Sequence, residues 1–570
     1  MHWLDWATLG AYFVVMLLIG VWSHRRVSDV SDYFTGGGRM PWWLTGISHH
    51  MSGYSAAVFV AYAAVAYNYG ITVYVWAFLP LALGTGVGAF LFAPRWNRLQ
   101  KRFKVASPLE YLKRRYNVPT QQALAWSGAA LKVFDVAAKW ASVAVLLKVF
   151  TGMSMTNGIL LTGIITLLYC TVGGLWADAL TEFGQFIIQG VAALSMMWVV
   201  LDRLGGISGL GTLWHRLPEG HTDPLVGPYT AGFLTAYVVV KLFEYNGGMW
   251  NLAQRYMATD SPRSARRSAG LSAALYLVWP AILLLPAVAA PVLMPHVADP
   301  QQTYALMAQS YLPMGLVGLT LAGMFSHTMA MASSDANAVS AVVTRDILPA
   351  LFPSFRNASG ERGLLAGRVF TVVFIAGSMI VAIEADHFGG VLGIIVGMVA
   401  AVMGPISIPM LLGLLPAFRR CGPRAALASW ALGLGGYFFV KYGLDGASQT
   451  TVVVTPLVTS LLVYTVLGLI MPEPNAEADA VVAAVSGPGR RPRTEPGRRT
   501  AAGGGAGLTR GSAEGRSPFW GRGRCNGGYA GVRRPRTRSG APPAARCPSR
   551  ARSPRAGTVT ARGPRCSKGG

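Results

Sequence analysis

Apolar stretches separated by short polar connections dominate the first 471 positions. Runs of roughly 20 or more mainly apolar residues lie near 4–24, 42–67, 71–96, 121–150, 155–175, 181–202 and 229–250, then near 268–294, 313–344, 364–385, 390–417, 425–442 and 451–471. At about 1.5 Å rise per residue, about 20 helical residues cross the roughly 30 Å hydrocarbon core of a bilayer. The pattern therefore predicts an all-α membrane protein of about thirteen transmembrane helices.

The connections carry a second pattern, because cytoplasmic loops are enriched in Lys and Arg. Arg25, Arg26 and Arg39 lie between spans one and two; Arg95, Arg98, Lys101, Arg102, Lys104, Lys113, Arg114 and Arg115 lie between three and four. Arg263, Arg266 and Arg267 follow span seven, Arg345, Arg356 and Arg362 span nine, and Arg419, Arg420 and Arg424 span eleven. The intervening loops are poor in positive charge or acidic, as at Asp299, Glu384 and Asp386. This alternation predicts a multi-pass protein of the cell inner (plasma) membrane with its N-terminus outside and its C-terminus cytoplasmic. Asp5, with no Lys or Arg before the first apolar run, lacks the basic start of a cleaved signal, so the first segment is expected to be a retained helix.

Composition agrees: of 570 residues, 52% are hydrophobic and 13% charged. The formal charge of +25 is concentrated at one end, where nineteen arginines and Lys568 from position 485 onward face only Glu495 and Glu514. The basic charge therefore describes the tail and does not make nucleic acid a partner. After about 474 the chain turns to Arg, Gly, Pro, Ala and Ser, which cannot bury enough apolar surface to offset chain entropy. The expected organisation is a membrane domain over 1–474 and a disordered, Arg/Gly/Pro-rich cytoplasmic tail over 475–570. Five scattered cysteines, three of them in the tail, give neither a disulfide framework nor zinc-ligand spacing. No HExxH, GxSxG or Walker sequence occurs, so an enzyme is not expected.

Two spans are interrupted midway by glycine and small polar residues: Ser48-His49-His50-Met51-Ser52-Gly53-Tyr54-Ser55 in span two, and Glu244-Tyr245-Asn246-Gly247-Gly248-Met249-Trp250-Asn251 in span seven. Such a pair of breaks marks a binding site, since unwound carbonyls and half-helix ends coordinate ions and polar solutes. Taken singly, each glycine also fits close helix packing. Charged residues inside a bilayer are costly unless they pair or function. Lys132, Asp135 and Lys139 stand at helical spacing, as do Lys241 and Glu244, and mutual neutralisation is the simplest reading of both groups. Asp335, Glu182, His49, His50 and His327 are the groups able to bind a cation or carry a proton.

The run Ser31-Asp32-Tyr33-Phe34-Thr35-Gly36-Gly37-Gly38-Arg39-Met40-Pro41-Trp42-Trp43 resembles the signature that precedes the second helix in the sodium:solute symporter family. Ser107-Pro108-Leu109-Glu110-Tyr111-Leu112-Lys113-Arg114-Arg115-Tyr116 is similar to that family's loop after the third helix. Gly173-Gly174-Leu175-Trp176, Gln254-Arg255-Tyr256-Met257-Ala258 and Thr344-Arg345-Asp346-Ile347 match further landmarks in order, so that the resemblance covers roughly 5–471. It implies the fold of the bacterial leucine transporter, with inverted five-helix repeats at about 42–202 and 229–417. By position it implies sodium near the backbone carbonyls of Ser48, Met51 and His327. Where many relatives carry Ser or Thr ligands this chain has Ala330 and Met331, so the expected oxygen set moves to Ser333, Ser334 and Glu182, joined by the carboxylate of Asp335. Substrate contacts are expected near the two breaks, from His49, His50, Tyr54, Ser55, Tyr245, Trp250 and Asn251. Met249-Trp250 replaces the Asn-Gln pair of sugar-transporting members, so the resemblance does not by itself imply a hexose.

The resulting expectation is a secondary active transporter that couples sodium influx to uptake of a small polar solute, sugar-like or an organic acid, by alternating access. Sodium is the only cofactor expected, with no organic cofactor. The alternatives are a proton-coupled or sodium-independent transporter, or a membrane solute sensor.

Overall fold

The computed structural model describes residues 1–23, 30–355, 361–388, 393, 395, 397, 400–401 and 403–487, all of them within one compact unit, Met1–Arg493. Eight positions of the expected span at 390–417, and the tail from 488 onward, lie outside the described residues.

The described residues are almost wholly helical. In chain order the principal helices are α1 (Trp3–Ser23), α2 (Trp42–Met51), α3 (Ala61–Tyr69), α4 (Leu79–Leu91), α5 (Ala93–Phe103), α6 (Val118–Thr151), α7 (Met155–Leu204) and α8 (Ala231–Phe243). They continue with α9 (Trp250–Met257), α10 (Pro262–Leu293), α11 (Leu316–Val342), α12 (Glu361–Ile383), α13 (Ser407–Leu412), α14 (Pro423–Gly443), α15 (Gln449–Ile470) and α16 (Ala476–Ser486). Their starts are set locally by side-chain caps: Asn117 accepts from Thr120 N at 2.9 Å before α6, and Ser261 accepts from Ser264 N at 3.2 Å before α10. Helix α7 joins two expected spans and is interrupted at Gly174, whose φ of 55° falls in the left-handed region. A Cβ there would lie 2.6 Å from Tyr33 O.

Seven of the described segments combine the length and hydropathy needed to cross a membrane, among them Trp3–Gly20, Pro262–Leu293 and Leu316–Leu351. Polarity runs opposite to that of a water-soluble fold. Trp198, Ile380 and Leu469 stand 72, 66 and 67% exposed, while Lys132, Asp135, Lys139, Glu182, Arg255 and Asp335 are buried. An apolar exterior around a charged interior is what a hydrocarbon solvent selects. The chain is a multi-pass membrane protein.

One expectation is corrected. The disordered tail does not begin at 475, because Ala476–Ser486 forms α16, capped by Asn475, whose side chain accepts from Glu477 N and Ala478 N. Ala478, Val481, Val482 and Val485 recur at helical spacing and are buried. Val481 and Val485 enter the same core as Leu109 and Leu112, with Phe103 packed against it, and Arg98 donates to Val485 O at 2.9 Å.

Candidate functional site

Both sequence breaks are breaks in the structure. Helix α2 stops where Ser52 N returns to Ser48 O at 2.9 Å and Gly53 N to His50 O at 3.1 Å; Ser55 is extended and caps a short turn, Ala56–Phe59, before α3. Helix α8 passes into a wide turn, Glu244–Gly248, in which Gly247 has φ 143°, then into extended Met249 before α9. A Cβ on Gly247 would meet Trp96 at 2.8 Å and Leu411 at 3.0 Å, so the bend needs glycine for both conformation and space. The breaks are stitched together: Tyr245 OH donates to Gly53 O, and Asn251 Nδ2 donates to Ser52 O at 3.4 Å. Trp96 Nε1 donates to Asn246 O at 2.8 Å, satisfying a carbonyl the bend releases.

A polar cluster lies beside the first break. Arg255 of α9 donates from Nε to Ser48 Oγ at 2.7 Å, and from Nη2 to Asp178 Oδ2 at 2.5 Å, Ser52 Oγ at 3.2 Å and Glu182 Oε1 at 3.2 Å. Ser48 and Ser52 donate to Glu182, and Ser333 donates to Asp178. Ser334 Oγ stands 2.8 Å from both Asp178 Oδ2 and Glu182 Oε1. All of these side chains are buried. With both acids ionised, two carboxylates face one guanidinium, leaving one formal negative charge among four hydroxyls.

A second polar cluster lies between α6 and α11. Lys132 Nζ bonds Asp135 Oδ2 at 2.9 Å and Asp335 Oδ1 at 2.8 Å; Lys139 Nζ bonds Asp135 Oδ2 at 3.0 Å and also Asp335. Lys241 pairs with Glu244 at 2.6 Å. Neutralisation within each sequence group is thus present, and Asp335 completes the first. That is a correction for Asp335, which turns away from Ser333, Ser334 and Glu182. Successive helical residues point about 100° apart, so the neighbour of Ser334 faces α6.

Between the breaks lies a cavity of about 50 Å³, lined by Gly53, Tyr54, Ser55 and Ala57, by Glu244, Tyr245 and Met249, and by Tyr62, Asp135, Lys139, Lys241, Met331 and Ile395. Of the expected substrate contacts, Tyr54, Ser55 and Tyr245 line it. The other four do not. His49 is held by Ser272 at 2.7 Å and by Tyr256 OH at 2.8 Å, and His50 Nε2 meets Tyr54 OH at 2.9 Å. Trp250 packs on Gly128, where a Cβ would approach its ring to 2.3 Å, and Asn251 reaches back to Ser52. His327 packs its ring on Tyr54, with centroids 4.6 Å apart. Met51 is fully buried at the end of α2, and Ala330 is buried on α11.

Several site residues escaped the sequence reading. Asp178 stands four residues before Glu182 and so shares its helix face, a visible spacing that the reading passed over. In the sequence Arg255 stands out only as part of the Gln254-Arg255-Tyr256-Met257-Ala258 landmark. The spacing of Lys139 with Lys132 and Asp135, and of Lys241 with Glu244, predicts mutual neutralisation, and nothing in it shows that these residues border a cavity.

A family model described as "Sodium:solute symporter family" matches residues 33–433. The sodium/sialic acid symporter SiaT of Proteus mirabilis is 24% identical over 471 residues, covering 78% of this chain and 90% of that protein. The sodium/iodide cotransporter of Homo sapiens is 28% identical over 493 residues, covering 79% of this chain and 73% of its own length. A solved structure described as the substrate-bound outward-open state of a Na+-coupled sialic acid symporter matches with TM-score 0.70 at 21% identity, covering 83% of this chain and 99% of that one, so the two share a fold.

Proposed function

The chain belongs to the sodium:solute symporter family, and from that premise we propose that it is a secondary active transporter coupling sodium entry to uptake of a small polar solute by alternating access. The observation that carries the reading is the pair of stitched helix breaks enclosing a charged cavity, with an oxygen-rich cluster beside one of them. Broken helices on either side of a central site are the arrangement that lets one half of a transporter rock against the other. The halves proposed here are 42–202 and 229–417. No chemistry on the solute is part of the reading, and neither is an organic cofactor.

For the ion, the proposed ligands are Ser333, Ser334, Glu182 and Asp178; the backbone oxygens of Ser48, Met51 and His327 are proposed as a separate set that the resemblance implies. Two carboxylates against one guanidinium leave a buried negative charge. A monovalent cation removes that charge, and hydroxyl oxygens replace part of its water shell. Asp335 is left out of this set because two lysines already hold it. The alternating loop charges support a plasma-membrane orientation with the N-terminus outside.

Counterflow of labelled solutes in proteoliposomes, with sodium and with an impermeant replacement cation, tests the proposal. Sodium-dependent exchange of one solute is the expected result. Exchange that is indifferent to sodium but follows a pH gradient removes the sodium assignment.

A further inference from the structure

The cavity between the breaks is bordered by unlike charges. Asp135, Lys139, Lys241 and Glu244 line it, and Lys132 and Asp335 stand directly behind Asp135 and Lys139. Three positive and three negative formal charges cancel, but their hydrogen-bonding capacity is only partly used. Lys241 gives one N–H to Glu244 Oε2 at 2.6 Å and rests over the rings of Tyr237 and Tyr245, 4.8 and 5.3 Å from their centroids. Asp135 accepts both its lysines on Oδ2. Neither Asp135 Oδ1 nor Glu244 Oε1 accepts a hydrogen bond from the described residues. An ammonium has three donors and a carboxylate about four acceptor positions, and buried ion pairs are favourable only when the remainder are met.

We propose that the transported solute is a small zwitterion, with a carboxylate and an ammonium on one compact carbon frame. This deepens the symport reading and rests on it. The carboxylate accepts from Lys241 and Lys139, and the ammonium donates to Glu244 Oε1 and Asp135 Oδ1. Charge balance is the deciding argument. The cavity is already neutral, so a monoanion or monocation would bring an uncompensated charge in among buried side chains, where the dielectric is low. A zwitterion brings none, while engaging the unused donors and acceptors on both sides. Sodium neutralises its own cluster at Asp178 and Glu182 and leaves this balance untouched. Met331, Met249 and Tyr62 give the carbon frame an apolar wall. A polyol would use hydroxyls against these groups but has no need of two ion pairs.

The test is uptake by the full chain in proteoliposomes under an inward sodium gradient, with three size-matched labelled panels. One holds zwitterions (glycine, alanine, proline, serine), one monocarboxylates (acetate, lactate, pyruvate) and one neutral polyols (glycerol, erythritol, threitol). The expected result is uptake confined to the zwitterions. Uptake of a monocarboxylate or a polyol without any zwitterion overturns the proposal and leaves symport standing; uptake of none overturns both. The double variant K241Q/E244Q removes both charges together, so that neither is left unpaired. It should raise the KM for the zwitterion roughly tenfold or more with the half-saturating sodium concentration unchanged. An unchanged KM in a correctly inserted variant refutes the assigned contacts.

Discussion

Ser334 and Asp335 are neighbours in sequence, yet they belong to different assemblies. The hydroxyl of Ser334 joins Asp178 and Glu182, whereas the carboxylate of Asp335 joins Lys132 and Lys139. Their substitutions should therefore fail differently. Ser334→Ala removes an oxygen from the proposed ion site without stranding a charge, and should raise the sodium concentration for half-maximal uptake while leaving the melting temperature nearly unchanged. Asp335→Asn leaves two buried ammonium groups sharing Asp135, and breaking a buried pair costs about 3–5 kcal/mol. Its expected effect is a lowered melting temperature and reduced yield, measured on detergent-purified protein; a normal melt with a selective loss of sodium affinity would return Asp335 to the ion site. The residue types were legible in the sequence as costly charges needing partners. Which partner each one met was not, because Asp335 is 200 positions from its lysines and the choice depends on how α11 is rotated against α6 and α7.

At the scale of elements, the bend after α8 depends on Gly247. Gly247→Ala places a methyl group against Trp96 and Leu411 at a positive φ, a strain of about 1–3 kcal/mol. Uptake should be lost while the protein still reaches the membrane, as measured by uptake per mole of inserted protein. Gly10→Ala, where a Cβ meets nothing within 4 Å, should change neither. Both breaks were legible because Gly and small polar residues in an apolar run have few other uses. Helix α16 was equally legible in principle. Asn475 ahead of Ala478, Val481, Val482 and Val485 is a cap followed by an apolar stripe, but it was absorbed into the composition of the Arg-rich segment that follows.

For the whole molecule, truncation separates helix from tail. A chain ending at 487 should retain transport and its melting temperature. A chain ending at 474 loses three buried valines, each contributing about 1.5 kcal/mol or more, and the Arg98 contact, and should melt lower. Loss of uptake in the chain ending at 487, with normal insertion, would give the tail a role. A reporter fused after 480 should read cytoplasmic and one near 299 external; the opposite result at 480 would remove the expected parity of spans. The sequence by itself determined the solvent, the helical class, the two breaks and the family, because bilayer insertion, loop charge and helix interruption are read along a single chain. Only the tertiary structure decided which buried charges and polar groups meet, since pairs such as Lys139 with Asp335, Arg255 with Asp178, and Tyr245 with Gly53 join segments tens to hundreds of residues apart. Low dielectric forces every buried charge to find a partner, but helix packing alone selects which one.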